Sequence, residues 1–338
     1  MKTYKAMQVT KPGKLEMVER NVVEPGPVQV LLRVEACGVC HSDAATVDAQ
    51  FPGITYPRVP GHEVVGRIEA VGSEVANWKV GQRVGVGWFG GQDGTCEPCQ
   101  RGDFANCLHP VTPGVTTDGG YAEMMIAEAR ALALIPDDLT SAEAAPLLCA
   151  GITTFNAIRN AGLRAGGLVA IQGVGGLGHL GIQFARRMGY RTVALGLGPE
   201  LEKLAKELGA HTYIDTKAEK AAEALKRLGG ADAILATAPS GGAMASLIDG
   251  LAVRGKLIVV GVAPDPMPVS TLQLIWGGRS IQGSLTGKAI DNQDTLEFSV
   301  LQNIRPMIET VPLADAASAY ARMMEGKARF RMVLTMGD

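Results

Sequence analysis

The chain carries no surplus of charge of either sign. Its 32 Lys and Arg stand against 34 Asp and Glu, a formal −2, so the global basic footprint of a nucleic-acid-binding surface is missing and no nucleic-acid partner is expected. An apolar h-region is lacking as well. Behind Met1-Lys-Thr-Tyr-Lys-Ala-Met7 comes no signal-peptide core, so a cytoplasmic protein is expected. The longest uncharged stretch, 165–185, is long enough to cross a bilayer. It holds seven glycines together with Gln172, His179 and Gln183, a poor composition for a membrane helix, so no membrane partner is expected. Low-complexity segments and repeats of solenoid period are also missing.

What is abundant is glycine, 43 of 338 residues, about 13% where ~7% is usual. In a chain with 46% apolar residues, glycine serves tight turns and close backbone approaches. At ~150 residues per domain the length suggests about two domains. The six cysteines at 37, 40, 96, 99, 107 and 149 read, in a reducing compartment, as metal or redox chemistry and not as a disulfide frame.

The texture changes along the chain. Up to about residue 135, short apolar runs such as Val28 to Val34 and Val64 to Val71 alternate with turn signals at Glu24-Pro-Gly-Pro27 and Val59-Pro-Gly61, which predicts a mostly β region. Thr140-Ser-Ala-Glu143 is a capping box, and helical patterning follows it through Asn160. Strand-like and helix-like segments then alternate from Leu168 to Val260, which predicts a parallel sheet covered on both faces. A last helix, Leu313 to Met324, and strand, Arg329 to Met336, end the chain.

Inside the alternating region, Gly173-Val174-Gly175-Gly176-Leu177-Gly178 follows the apolar segment Leu168 to Gln172 and opens a helix. The pattern G-x-G-x-x-G in that context predicts a dinucleotide site: the first glycine makes the turn, the second admits a pyrophosphate, the third packs helix on strand. The helix N-terminus offers its free N–H groups to the phosphates. An acid ~20 residues on would bond the ribose 2′-hydroxyl of NAD. The second strand ends instead in Gly196-Leu-Gly198-Pro. No Arg stands there to clamp a 2′-phosphate, and Lys203 is the nearest cation, so NAD and NADP both stay open. Gly196→Asp is expected to favour NAD.

A second constellation is Cys37-Gly-Val-Cys40-His-Ser-Asp43, followed by Gly61-His62-Glu63 and, alone further on, Cys149. From the residues alone it reads as a redox dithiol or as zinc ligands. Two thiolates and one imidazole with an open fourth position would make a catalytic zinc site.

Together these motifs resemble the zinc-dependent alcohol dehydrogenases of the medium-chain dehydrogenase/reductase superfamily. The resemblance covers nearly the whole chain, because Glu24-Pro-Gly-Pro27, Gly38 to Asp43, Gly61 to Glu63, the cysteine lobe, Cys149 to Thr153 and the glycine loop fall in family order. It implies an α/β architecture: a Rossmann doubly wound parallel sheet domain at 151–286, and a mostly β, GroES-like catalytic domain formed by 1–150 and 287–338. It implies that Cys40, His62 and Cys149 hold a catalytic zinc, that Asp43 orients His62, and that Glu63 sits behind the metal. Ser42 would bond the alcohol and begin a proton relay. Thr153 and Leu177 would press on the nicotinamide, and His41 and Arg331 would reach the pyrophosphate. Phe51, Trp88 and Tyr121 would line an apolar pocket, with small Ala45 and Val47 leaving room for branched or aromatic, primary or secondary alcohols. The partners implied are a small alcohol, aldehyde or ketone, and further copies of the chain, a tetramer by analogy.

Three departures stand out. Many members carry a relay histidine two residues after the aspartate of the C-H-[ST]-D motif, where this chain has Ala45, leaving His41 or water to pass the proton on. A structural zinc lobe normally has four cysteines, where this chain has Asp93, Cys96, Cys99 and Cys107. Oxygen is an acceptable zinc ligand, so a second zinc is expected there, with an empty lobe of free thiols as the alternative. The third is Gly196. Other readings weighed are a zinc-free quinone or enoyl reductase, a polyol dehydrogenase, which usually has Glu at the place of Cys149, and a non-enzymatic zinc or thiol module, which leaves the glycine loop unexplained.

Overall fold

The computed structural model describes residues 2–337. Its strands are β1 (Thr3–Lys11), β2 (Lys14–Asn21), β3 (Gln29–Val39), β4 (Val64–Val71), β5 (Arg83–Val86), β6 (Met124–Glu128), β7 (Ala133–Leu134), β8 (Leu168–Gln172), β9 (Arg191–Gly196), β10 (Thr212–Asp215), β11 (Ala231–Ala236), β12 (Leu251–Val259), β13 (Ser280–Gly283), β14 (Ile308–Pro312) and β15 (Arg331–Thr335). They divide between two compact units, Met1–Ile152 with Thr286–Asp338, and Thr153–Leu285.

In the first unit β1 and β2 form a hairpin, and a seven-stranded mixed sheet runs β14-β15-β3-β4-β5-β7, with β6 also on β3. Val30, Leu32 and Val34 of β3 point into a core shared with Ile68, Met332 and Leu334, while Arg33 between them faces out. This is the period-2 pattern of a half-buried strand. The pairing of β3 with β4 shifts register between Val34 and Ala36. That bulge breaks the alternation, which is why the strand reads as ending at Val34 yet continues to Val39, one residue before Cys40.

The second unit is an all-parallel sheet in the order β10-β9-β8-β11-β12-β13. Numbered within the unit this is 3-2-1-4-5-6, the order of dinucleotide-binding sheets. Leu168 to Ile171 are buried without alternation, as covering on both faces demands. The fold therefore comprises a Rossmann-type domain and a mostly β domain.

The Thr140 cap forms as expected, with Thr140 Oγ1 accepting from Glu143 N at 3.2 Å. The helix after it is not continuous. It runs Ser141–Pro146, passes through one π-turn at Leu147–Gly151, and resumes at Ile152–Arg159. A π-turn inserts one residue into a helix and is commonly found at functional sites. Here it carries Cys149. Among the described residues no helix is long and apolar enough to cross a membrane.

Candidate metal centre and cofactor loop

Four buried donors converge in the first unit. One ligand atom from each of Cys40, His62, Glu63 and Cys149 lies within 4.8 Å of all the others. Cys40 follows β3 and caps the short turn His41–Asp43, His62 and Glu63 immediately precede β4, and Cys149 comes from the π-turn. Cys40 Sγ and Cys149 Sγ are 3.9 Å apart. A tetrahedral zinc with Zn–S near 2.3 Å would separate two thiolates by about 3.8 Å. His62 Nε2 is buried with no hydrogen-bond partner, an orphan that a metal would satisfy. The donor set therefore fits zinc. The hydrogen bond the two thiols share draws Cys40 well below its ordinary value, against the penalty of burial, and together with burial pushes Cys149 well above it.

The surrounding groups hold these donors in place. Asp43 Oδ1 lies 3.1 Å from His62 Nδ1, fixing the ring so that Nε2 is left for the metal. Asp43 Oδ2 accepts from Cys40 N at 2.9 Å and from the Tyr121 hydroxyl at 2.8 Å. Burial, and then the charge of Asp43, push the Tyr121 phenol well above its ordinary value, so it keeps its proton and donates. Trp88 stands edge-on to the His62 ring, centroids 4.9 Å apart. Arg331 Nη2 pairs with Glu63 Oε1. Burial nonetheless pushes the Glu63 carboxyl up to about 7, and its Oε2 is buried without a partner.

Two expectations change here. Tyr121 does not line a pocket: it is fully buried in the core, because its ring packs on Gly61, where a β-carbon would collide with it, and its hydroxyl is drawn to Asp43. Arg331, expected at the pyrophosphate, is buried with its Nη2 on Glu63. Phe51 is exposed on a loop, His41 is exposed and Ser42 half-buried beside it.

The second cluster is the lobe, where ligand atoms of Asp93, Cys96, Cys99 and Cys107 also lie within 4.8 Å of one another. Cys96 Sγ and Cys107 Sγ are 3.8 Å apart, again one edge of a zinc tetrahedron. Backbone N–H groups of Asp93, Leu108 and His109 point at the sulfurs of Cys107 and Cys96 at 3.4–3.5 Å. Asp93 Oδ1 accepts from Thr95 N and Cys96 N, and its Oδ2 meets His109 Nδ1 at 2.7 Å. The Cys96 and His109 bonds together hold the Asp93 carboxyl far below its usual range. Sequence reading missed His109. Its signal was chemical: a carboxylate replacing a thiolate has a second oxygen that needs a donor, and His109 follows Cys107 by two residues.

In the second unit Gly173, Gly175 and Gly178 of the loop each have a backbone or steric reason to lack a side chain or leave space open. Gly173 has φ +85°, Gly175 faces open space, and a β-carbon on Gly178 would collide with the Gly173 carbonyl. The helix Gly178–Arg187 starts there. Leu177 is half-buried and Thr153 buried in the helix Ile152–Arg159. At the end of β9 the space beside Gly196 is taken by the Tyr213 ring, so the simple exchange Gly196→Asp expected above requires that ring to move.

Residues 26–137 match the alcohol dehydrogenase GroES-like domain family and residues 176–301 the zinc-binding dehydrogenase family. An alcohol dehydrogenase (notN) of Aspergillus sp. (strain MF297-2) is 46% identical over 92% of this chain and 91% of its own length. Among solved structures, a cinnamyl alcohol dehydrogenase from Sorghum bicolor superposes with a TM-score of 0.90 at 29% identity, covering 99% of this chain and 98% of that one. The Helicobacter pylori protein titled CAD, solved with NADP(H), gives 0.85 at 29% identity and 98% coverage of each. The chain belongs to the zinc-type medium-chain dehydrogenase/reductase family. It is a zinc-dependent alcohol dehydrogenase or carbonyl reductase that uses a nicotinamide cofactor.

Proposed function

We propose that Cys40, His62 and Cys149 hold the catalytic zinc and that the enzyme interconverts apolar primary and secondary alcohols, aromatic ones included, with their aldehydes or ketones. The observation that carries this reading is the orphaned, buried Nε2 of His62 facing two thiols at tetrahedral-edge spacing. The name of the Sorghum relative, a cinnamyl alcohol dehydrogenase, supports an aromatic substrate class. Trp88 against His62 and the exposed Phe51 are the side chains proposed to meet its apolar end.

When bound, zinc supplies a Lewis acid toward the substrate oxygen and the nicotinamide supplies the hydride chemistry. The chain's own residues do the rest. Ser42 Oγ would accept the alcohol's proton as it gives up its own hydroxyl proton toward His41, which is exposed one residue away and would release a proton to solvent in place of the missing histidine at Ala45. Asp43 keeps the His62 ring oriented. Arg331 balances the Glu63 carboxylate beside the donors, where Glu63 would sit behind the metal. Gly173, Gly175, Gly176, Leu177 and Gly178 would cradle the pyrophosphate, and Thr153 and Leu177 would press on the nicotinamide. Both NAD and NADP fit a turn with neither acid nor arginine at Gly196.

We assign the enzyme to a reducing compartment, the cytoplasm, because all six cysteines are unpaired. A homo-oligomer, a tetramer by analogy, is supported by β13 at the outer edge of its sheet near exposed Val253, Leu272, Ile275 and Trp276, since an open edge with apolar neighbours invites pairing. The test of the whole reading is a panel of aliphatic and aromatic alcohols assayed with zinc-loaded protein and each of NAD⁺ and NADP⁺. Alcohol-dependent reduction of at least one is expected. Absence with both would overturn the assignment.

A further inference from the structure

We infer that Tyr121 is a positioning residue of the zinc centre, fixing both Asp43 and the backbone that carries His62. This rests on the reading that Cys40, His62 and Cys149 bind zinc. The observations are independent of any pocket role. Tyr121 is fully buried, and its hydroxyl donates to Asp43 Oδ2 at 2.8 Å. The same oxygen accepts from Cys40 N at 2.9 Å, and its partner Oδ1 meets His62 Nδ1 at 3.1 Å. One carboxylate thus joins two of the proposed ligands, one through its backbone and one through its ring.

A carboxylate in that role must not rotate. Turning it about its last side-chain bond would break the contacts with both ligands together. Tyr121 prevents this from outside the ligand-bearing segments: it follows Gly119-Gly120, and its N–H donates to the Pro60 carbonyl at 3.0 Å. Its ring lies where a side chain on Gly61 would project, and Gly61 has φ +103°. The ring therefore also pins the residue before His62. Through its hydroxyl the residue acts on Cys40 and His62; through its ring and backbone it acts on Pro60 and Gly61. Loss of a partner that orients a metal ligand typically costs about 10–100-fold in metal affinity or activity.

The decisive variant is Tyr121→Phe, which keeps the ring and removes the donor. It should give up the catalytic zinc at roughly 10-fold lower chelator concentration than wild type. The cobalt-substituted protein should show an altered ligand-field spectrum. The KM pattern across substrates should stay unchanged. In an Asp43→Asn background the Tyr121→Phe effect on metal retention should largely vanish, because the hydroxyl acts through that carboxylate. Metal retention equal to wild type, additive effects in the double variant, or a change confined to substrate selectivity would each overturn the inference. If Tyr121→Phe folds poorly, 3-fluorotyrosine at position 121 retains both groups, and its ¹⁹F resonance should move when the catalytic zinc is removed. An unmoved resonance would overturn the inference. Wild-type protein that holds no zinc at this centre would instead sink the zinc reading on which it stands.

Discussion

Tyr213 fills the space into which any side chain at Gly196 would project, and its hydroxyl donates to the Gly198 carbonyl at 2.5 Å. The strand that should carry the ribose-binding acid thus ends in a glycine for a steric reason. Its neighbour in register on β10 is Asp215, and Tyr213, two residues earlier, shares that face of the strand.

Gly196→Asp alone should therefore not create an NAD-selective enzyme. To admit the carboxylate, Tyr213 must swing away and lose its bond to Gly198, a net cost of about 0.5–1.5 kcal/mol. We expect a lower Tm and weaker binding of both NADH and NADPH. Combined with Tyr213→Ala, the same aspartate should strengthen discrimination in favour of NADH. Fluorescence titration with each cofactor beside thermal unfolding checks this. A single Gly196→Asp variant with unchanged Tm and a clear shift toward NADH would show that Tyr213 is no obstacle.

Cys40→Ala, His62→Ala and Cys149→Ala should each lower turnover by at least ~100-fold, because stabilisation of charge on the substrate oxygen is worth several kcal/mol. The glycine loop lies in the other unit, so NADH or NADPH binding should persist in all three. Turnover near wild type in purified, fully substituted protein would remove that residue from the site.

The lobe should hold a second zinc on Asp93, Cys96, Cys99 and Cys107. Wild-type protein should then contain two zinc ions per chain and show few reactive thiols in the native state. Asp93→Ala should loosen one zinc and lower Tm, by roughly 2–4 °C for each kcal/mol lost, with the chemical step at low temperature nearly unchanged. One zinc per chain with three readily titrated thiols would mean that the lobe is a plain turn.

Acid should weaken the second unit through Asp215. Its carboxylate accepts from Lys217 N at 2.9 Å and Gly198 N at 2.8 Å, and these bonds hold it below the ordinary aspartate value. A depressed carboxylate adds stability above its unfolded value, about 3.9, and loses it as pH falls through the folded one. Asp215→Asn keeps an acceptor and removes the charge. Its Tm should accordingly fall less than that of wild type between pH 5 and pH 3. Parallel curves would exclude this group as a contributor.

Much of this was legible in the sequence because each signal was local. Leu168 to Ile171 and Ala233 to Ala236 are buried without alternation and read as short apolar runs, and the strands that hold them, Leu168–Gln172 and Ala231–Ala236, have the bounds expected from the sequence. Thr140 and Glu143 announce their own cap. The lobe was legible because its cysteine spacing is local, whereas Cys40, His62 and Cys149 were joined only through the family resemblance, the residues alone leaving a redox dithiol open. What escaped depends on which segments meet. Tyr121 reads as one more aromatic until Gly61 and Asp43 are seen against it. Tyr213 reads as a strand residue until it is found beside Gly196. His109 reads as surface until the spare oxygen of Asp93 reaches it. Cys149 reads as helical because a π-turn differs from an α-turn by one residue, and no side chain there declares it.

The sheet around Glu63 has a further consequence, and it falls on biosynthesis. β15, which brings Arg331 to Glu63 and lays Met332 and Leu334 into the first unit's core, pairs with β3 from the opposite end of the chain. A ribosome therefore delivers the whole contiguous unit Thr153–Leu285 before the strand that closes its predecessor. During that interval Glu63 lacks its counterion and the Ala36–Val39 stretch of β3 lacks its β15 partner, a state in which exposed strands invite misassembly. The period of greatest exposure to aggregation is thus the interval between the synthesis of β3 and that of β15, when the cofactor-binding unit can already be closed and the metal-binding unit still has an open seam.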